Sequence, residues 1–197
     1  TINDLAAMIA LYRPGPMEHI GTFIEAKHGQ AEITYPHDDL RELLEPTYGV
    51  LVYQDQVMLI AQTFGGYTLG EADILRKAMG KKDAAVMEAE QEKFTVGALK
   101  KGYTKEQADT VFELMAPFAG YGFNKAHAIS YAYIAYWTAY FKANHPTEYI
   151  VAVLDSAAGT PEKVGEAIRE ATRLGIAVKP PNLNLSSAGF TIERDHG

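Results

Sequence analysis

The sequence contains no cysteine, which excludes both a disulfide framework and a thiolate metal site. No apolar run approaches the length of about 20 residues that a membrane-spanning helix requires. The HExxH, G-x-S-x-G and P-loop patterns are absent, and the six histidines lack the spacing of metal ligands. We therefore expect a cytoplasmic protein with no membrane contact, no metal bound by these residues and no self-contained catalytic site.

Positive charge is also scarce. The chain has 18 Lys and Arg against 25 Asp and Glu, which gives a formal net charge of -7. This balance argues against a general coat for DNA, but it leaves room for a local basic surface. The chain starts at Thr1 without an initiator Met or a signal peptide, so we expect it to be a piece of a longer protein.

The hydrophobic pattern predicts a mainly α, multi-helical fold with at most a short β segment near residues 49–53. Thr68 and Glu71 have the spacing of a capping box, which predicts a helix start. We expect one helical domain over residues 1–178, followed by an extended tail over residues 179–197 that leads toward a further module.

A basic run stands out against the acidic total, with four cations in seven residues: Arg76, Lys77, Lys81 and Lys82. One interpretation is an ordinary helix end, where cations interact favourably with the helix dipole. The other is a phosphate-binding surface. Asp73 lies three and four residues earlier and is expected to orient Arg76 or Lys77. Gly80 is expected to end the helix.

A rigid turn begins at Arg13. Pro14 and Pro16 fix the backbone on both sides of Gly15, so this turn is expected to hold Arg13 in a defined direction.

A glycine-punctuated loop leads into a helix start at Asn124, Lys125 and His127. Free backbone N–H groups at a helix start favour an anion. Asn124 considered alone is better explained as a helix cap. Lys125 and His127 oppose the helix dipole, which indicates an external anion.

The helix predicted over residues 126–144 is rich in aromatic residues. Tyr133, Trp137 and Tyr140 share one face, and at this spacing packing into a core is favoured over stacking on bases. Tyr121 and Tyr131 lie nearest the loop and are the better candidates for contact with a base.

Four segments resemble a known family in the family's own order. They are residues 11–17 (LYRPGPM), 48–58 (YGVLVYQDQVM), 70–82 (GEADILRKAMGKK) and 118–127 (FAGYGFNKAH). Together they are similar to the fingers region of the bacterial replicative DNA polymerase III alpha subunit, a C-family DNA polymerase. The resemblance spans nearly the whole chain.

The resemblance implies a fingers domain that closes over an incoming deoxynucleoside triphosphate and the templating base. The implied partners are primer-template DNA, the palm domain of the same polypeptide and other replisome subunits. The implied phosphate-binding and nucleotide-binding residues are Arg13, Arg76, Lys77, Lys81, Lys82, Asn124, Lys125 and His127.

The resemblance also implies that catalysis depends on parts outside this chain. In the family, aspartates of the palm hold two Mg²⁺ ions, so the fragment alone is expected to be inactive. The rival hypothesis from the residues is a non-enzymatic helical module that binds nucleic-acid backbone or a partner protein through the same basic surface.

Overall fold

A computed structural model describes residues 1–81, 84–118 and 122–193. The described residues form ten α-helices, which confirms the mainly α prediction, and none of these helices combines the length and apolarity needed to cross a membrane. The helices are α1 (Ile2–Leu11), α2 (Ile20–Lys27), α3 (Arg41–Leu44), α4 (Gln54–Thr63), α5 (Leu69–Lys81), α6 (Ala84–Lys100), α7 (Lys105–Phe118), α8 (Lys125–Asn144), α9 (Pro146–Ala157) and α10 (Pro161–Arg173).

The chain divides into two compact units, Thr1–Ala132 and Tyr133–Gly197. The division falls within α8. This division does not test the predicted domain boundary between residues 178 and 179, which stays a prediction.

Helices α4 to α7 surround the larger core of the first unit, which includes Ile60, Phe64, Leu75, Phe94 and Met115. All five side chains are almost completely buried, and such burial is the main source of stability for a helical core.

The start of α5 and the end of α4 are both capped by side chains. The capping box is confirmed, because Glu71 Oε2 accepts from the Thr68 amide at 2.8 Å and Thr68 Oγ1 accepts from the Glu71 amide at 3.3 Å. Lys101 Nζ donates to the carbonyl oxygens of Gln62 and Thr63 at 3.1 and 2.7 Å. A cation there satisfies carbonyls that the helix leaves unpaired.

A second core in the same unit joins α1 to the first turns of α8. Its α1 side is made of small residues such as Ala6 and Ala10, and its α8 side of Ala128 and Ala132. Small side chains let these elements approach closely.

The predicted β segment takes the form of a single bridge. Tyr53 pairs in parallel with Phe123, and within the described residues this isolated bridge is the only β pairing. Phe123 N donates to the Val52 carbonyl at 3.2 Å, and Gln54 N donates to the Phe123 carbonyl at 3.0 Å. The segment before α4 is therefore extended and attached to the start of α8.

The second unit has its own small core between α9 and α10, centred on Ile150, Leu154 and Ala171. Val178 and Phe190 pack against this core, and the Phe190 amide donates to Asp155 Oδ1 at 2.9 Å. Part of the chain beyond α10 therefore packs against α9 and α10.

The aromatic side chains of α8 are exposed, so the core interpretation is wrong for this chain. Tyr133, Trp137 and Tyr140 are each about half exposed, and the nearest ring contact of Tyr133 is Trp137, with centroids 6.0 Å apart. The fully buried positions of α8 are the alanines 128 and 132 instead. The pattern was apolar on every side of the helix, so it did not indicate which side packs.

Trp137 is the only tryptophan of the chain and is 54% exposed. In the 197-residue chain we expect long-wavelength fluorescence emission and strong quenching by acrylamide, because water and quencher reach the indole. Denaturant should shift the emission little. Blue emission that moves far to the red on unfolding would contradict this exposure.

Candidate anion-binding site

Arg13 follows α1 at the start of the proline-flanked turn. Its Nε donates to the Ala10 carbonyl at 2.8 Å, and its guanidinium carbon lies 4.9 Å from the centre of the Phe123 ring. Gly15 has a φ of 99°, a backbone conformation that glycine adopts without strain. Burial lowers the pKa of Arg13 below its usual value, because partial loss of water disfavours the charged form. An anion beside this guanidinium would offset that cost.

Phe123 begins a row of aromatic rings along the start of α8. Its ring centroid lies 5.6 Å from that of His127, and the His127 centroid lies 4.7 Å from that of Tyr131. The spacing of four residues places these side chains on one face of the helix. Tyr131 is 53% exposed at the far end of the row, so an external group can reach its ring.

The first turn of α8 is partly satisfied within the chain. The His127 amide donates to Asn124 Oδ1 at 2.8 Å, which confirms Asn124 as a helix cap. The Lys125 amide donates to Asp55 Oδ2 at 3.3 Å. Two of the N–H groups expected to be free therefore have partners, and an anion at this helix start would depend mainly on side chains.

The side chain of Lys125 lies over an aromatic ring. Its Nζ is 5.7 Å from the centre of the Tyr53 ring, within the range of a cation–π contact. Burial raises the pKa of Tyr53 to about 12, so the phenol stays neutral at physiological pH. Lys125 itself is exposed to solvent. Its charge is thus held near the helix start while remaining accessible.

Arg76 and Lys77 form a separate group on α5. Arg76 donates to Asp73 Oδ1 through Nε at 3.1 Å and through its terminal nitrogen at 2.7 Å, and Lys77 Nζ lies 2.7 Å from Asp73 Oδ2. Lys77 first and then Arg76 lower the pKa of Asp73 below its usual value. The expectation that Asp73 orients one of these cations is confirmed, and it engages both.

The expected end of this helix at Gly80 is wrong, because α5 continues to Lys81. An isolated glycine lowers helix propensity by about 1 kcal/mol, which the packing of Leu75 and Met79 in the core readily offsets. The side chain of Lys81, together with Lys82 and Tyr121, lies outside what the structure describes.

The structure thus brings five of the predicted residues together around Phe123 and the first turns of α8. These residues are Arg13, Asn124, Lys125, His127 and Tyr131. Arg76 and Lys77 instead have their ion-pair partner on their own helix.

Sequence reasoning missed two residues of α4, Asp55 and Gln56. Asp55 binds the Lys125 amide, and the Gln56 side chain is buried beneath the Val52–Tyr53 segment. The available signal was the position of Gln56, next to Val57 and four residues before Ile60 on the apolar face of α4. Glutamine is mostly exposed in proteins, so a glutamine at such a position indicates a buried polar contact.

Comparison with known proteins gives consistent matches along the chain. The family described as "Bacterial DNA polymerase III alpha subunit finger domain" matches residues 1–102. "DNA polymerase III subunit alpha" of Borreliella burgdorferi is 51% identical over 192 residues, and that of Bacillus subtilis is 46% identical over 192 residues. Each alignment covers 98% of this chain and 17% of the relative.

The corresponding protein of Chlamydia pneumoniae is 49% identical over 195 residues, which are 99% of this chain and 16% of that relative. The chain therefore spans about one sixth of the length of the curated relatives it matches. Since the family match covers more than half of its residues, the chain belongs to the bacterial DNA polymerase III alpha subunit finger domain family.

Proposed function

We propose that this chain is the fingers portion of a longer DNA-directed DNA polymerase and binds the triphosphate of the incoming nucleotide on primer-template DNA. Family membership supports the polymerase assignment. The observation that carries the nucleotide-binding role is the set of contacts from Arg13 through Phe123 to His127 and Tyr131, with Lys125 on the same helix start.

In this role the fingers domain supplies positively charged side chains that bind the phosphates. Charge accumulates on the phosphoryl oxygens in the transition state, and catalysis depends on positioning and on electrostatic stabilisation of that charge. Arg13 suits this role because its planar guanidinium is already oriented by the Ala10 carbonyl and the Phe123 ring. Lys125 adds a second positive charge.

The positions of Tyr131 and His127 suit contact with a nucleotide base. Their rings lie together and Tyr131 is half exposed. Stacking of a base on an aromatic side chain contributes about 1–3 kcal/mol and tolerates any base. We assign Tyr131 to this contact. Tyr121, the other candidate, stays a prediction.

We place the Mg²⁺ ions of the reaction outside this chain. Across residues 1–81, 84–118 and 122–193, no group of three or more His, Asp or Glu side chains is placed to hold a metal ion. In this proposal, palm aspartates elsewhere in the polypeptide hold the Mg²⁺ ions, and the isolated fragment does not extend primers. The proposal includes a cytoplasmic location and replisome partners that bind through other regions.

We expect charge removal at Lys125 or Arg76 in the full-length alpha subunit to weaken nucleotide binding. Lys125→Gln should raise the KM for the deoxynucleoside triphosphate about tenfold, since a hydrogen bond to a charged group is worth about 1.5–3 kcal/mol. Arg76→Gln should act in the same direction but more weakly, because Asp73 already balances part of its charge. Steady-state primer extension measures both effects.

Lys105→Gln is the matched control, because Lys105 is an exposed lysine paired with Asp109 on the surface of α7. It should leave the KM unchanged. Parental kinetics in both Lys125→Gln and Arg76→Gln would refute the phosphate-binding role.

A further inference from the structure

Gln56 and Thr47 are the two buried polar residues among those that the structure describes, and Gln56 is only 5% exposed. Gln56 Oε1 accepts from the amides of Val52 and Tyr53 at 2.9 and 3.0 Å. Its Nε2 donates to Thr47 Oγ1 at 2.7 Å and to the Leu43 carbonyl at 3.4 Å. Backbone N–H groups only donate, so the amide has one possible orientation here.

Helix capping accounts for one of these four bonds. Gln56 is the third residue of α4, and a glutamine there often accepts from the backbone amide of the cap residue, here Tyr53. The bonds to Val52, Thr47 and Leu43 extend beyond what α4 itself requires. A buried amide that is fully paired makes its surroundings rigid, and its loss leaves buried partners unsatisfied.

The segment that Gln56 holds is the one that carries Phe123. The Val52 carbonyl accepts from Phe123 N, and the Phe123 carbonyl accepts from Gln54 N. Gly122 fits tightly against the same segment, since a Cβ on it would lie 2.9 Å from Gln54 Cγ and 3.3 Å from Gln54 N. This close approach leaves the bridge little room to shift.

Phe123 in turn contacts two residues of the candidate site. Its ring lies under the Arg13 guanidinium and beside His127. Asp55, the neighbour of Gln56, accepts directly from the Lys125 amide. The first turn of α4 therefore touches the start of α8 through two independent sets of bonds.

We propose that Gln56 is a positioning residue: it fixes the Val52–Tyr53 segment and, through the bridge to Phe123, sets the place of the α8 start relative to Arg13. Its relevance to nucleotide binding rests on the proposed function, whereas its coupling to Phe123 does not. Gln56 itself touches neither Phe123 nor Arg13 in this scheme and acts through the backbone between them.

Hydrogen exchange in the full-length alpha subunit tests the coupling. In Gln56→Met, which keeps the length of the side chain but removes its polar atoms, the amides of Val52 and Tyr53 should exchange faster. Because the Val52 carbonyl, on the segment that Gln56 holds, accepts from the Phe123 amide, we expect the peptide that contains this amide to exchange about tenfold faster as well. Gln62→Met is the matched control on the same helix and should change neither.

Steady-state kinetics on the same variants test the consequence for nucleotide. Gln56→Met should raise the KM for deoxynucleoside triphosphate about threefold or more while kcat per folded active site changes less, since a displaced binding residue weakens binding first. A purely structural role would lower the fraction of active protein and leave the KM unchanged.

Thr47 provides a second pair of variants in case Gln56→Met does not fold. Thr47→Ser keeps the hydroxyl that accepts from Gln56 Nε2 and should behave like the parent. Thr47→Val removes that hydroxyl and should shift exchange at Phe123 and the KM in the same direction as Gln56→Met.

The outcomes separate this inference from the proposed function. Unchanged exchange at Phe123, with faster exchange at Val52 and Tyr53, would overturn the coupling. Faster exchange at Phe123 with a parental KM, while Lys125→Gln raises the KM, would overturn the positioning role. If Lys125→Gln also leaves the KM unchanged, the proposed function fails, and faster exchange at Phe123 still supports the coupling.

Discussion

Replacing Gly97 with alanine is expected to lower the free energy of unfolding of the first unit by about 3 kcal/mol or more. Gly97 lies in α6 against the backbone just beyond the end of α4. A Cβ on Gly97 would overlap the Gly65 carbonyl oxygen and lie 2.8 Å from the Gly65 carbonyl carbon. A backbone carbonyl cannot swing away as a flexible side chain does, so the two elements would have to separate.

Separation would also disturb the aromatic core beside this contact. Gly65 is itself enclosed, since a Cβ there would lie 2.8 Å from Phe94 Cε2 and 2.9 Å from the Ala61 carbonyl oxygen. Phe94 is completely buried and lies between Phe64 and Phe112. Thermal unfolding followed by far-UV circular dichroism should show the midpoint falling by about 6–12 °C.

Gly70→Ala is the matched control in a neighbouring helix. Gly70 lies in the first turn of α5, and nothing lies within 4 Å of the position of its Cβ. Alanine favours the helix over glycine by up to about 1 kcal/mol, so this variant should be slightly more stable than the parent. If Gly97→Ala were equally harmless, the close contact between α6 and Gly65 would be wrong.

The sequence predicted those parts of the fold that depend on neighbouring residues. The capping box of Thr68 and Glu71 is a local device, and the pairing of Asp73 with Arg76 follows from helix geometry. Such features need no knowledge of which elements meet. The same holds for Asn124, whose cap role depends only on the helix that begins after it.

The failures concern contacts between distant elements. Gly80 was expected to end a helix that core packing in fact continues, and the rings around Trp137 were expected to be buried when α8 buries alanines instead. Gly97 gives no local signal, because its partner Gly65 lies far away in the sequence. Gln56 contacts a backbone segment outside its own helix, so its apolar-face position alone does not indicate its partners.

The candidate site shows the same division. The types of residue expected to bind phosphate could be chosen from the sequence, but their grouping could not. Arg13 and Phe123 are separated by more than a hundred residues and yet lie in contact, and the bridge attaches Phe123 to Tyr53. Asp55 occupies an N–H group that the sequence suggested was available to a ligand.

Arg13→Ala is expected to have the largest effect on nucleotide use, with the KM for deoxynucleoside triphosphate in the full-length subunit rising about 10- to 100-fold. Arg13 is partly buried, and burial already disfavours its charge, so a phosphate beside it would bind more strongly than one in water. Arg13→Lys should restore little, because lysine lacks the planar guanidinium that lies over the Phe123 ring while its Nε donates to the Ala10 carbonyl.

Arg41→Ala is the matched control for Arg13→Ala. Arg41 also lies over an aromatic ring, with its guanidinium carbon 4.8 Å from the centre of Tyr35, and it pairs with Asp38 at 3.0 Å. Its removal takes away the same charge and the same type of ring contact, but at a surface to which the proposal assigns no nucleotide. A parental KM in Arg41→Ala together with a raised KM in Arg13→Ala would assign the effect to the position of Arg13. Equal effects in both variants would show that the general charge of the protein governs nucleotide binding, rather than the site around Phe123.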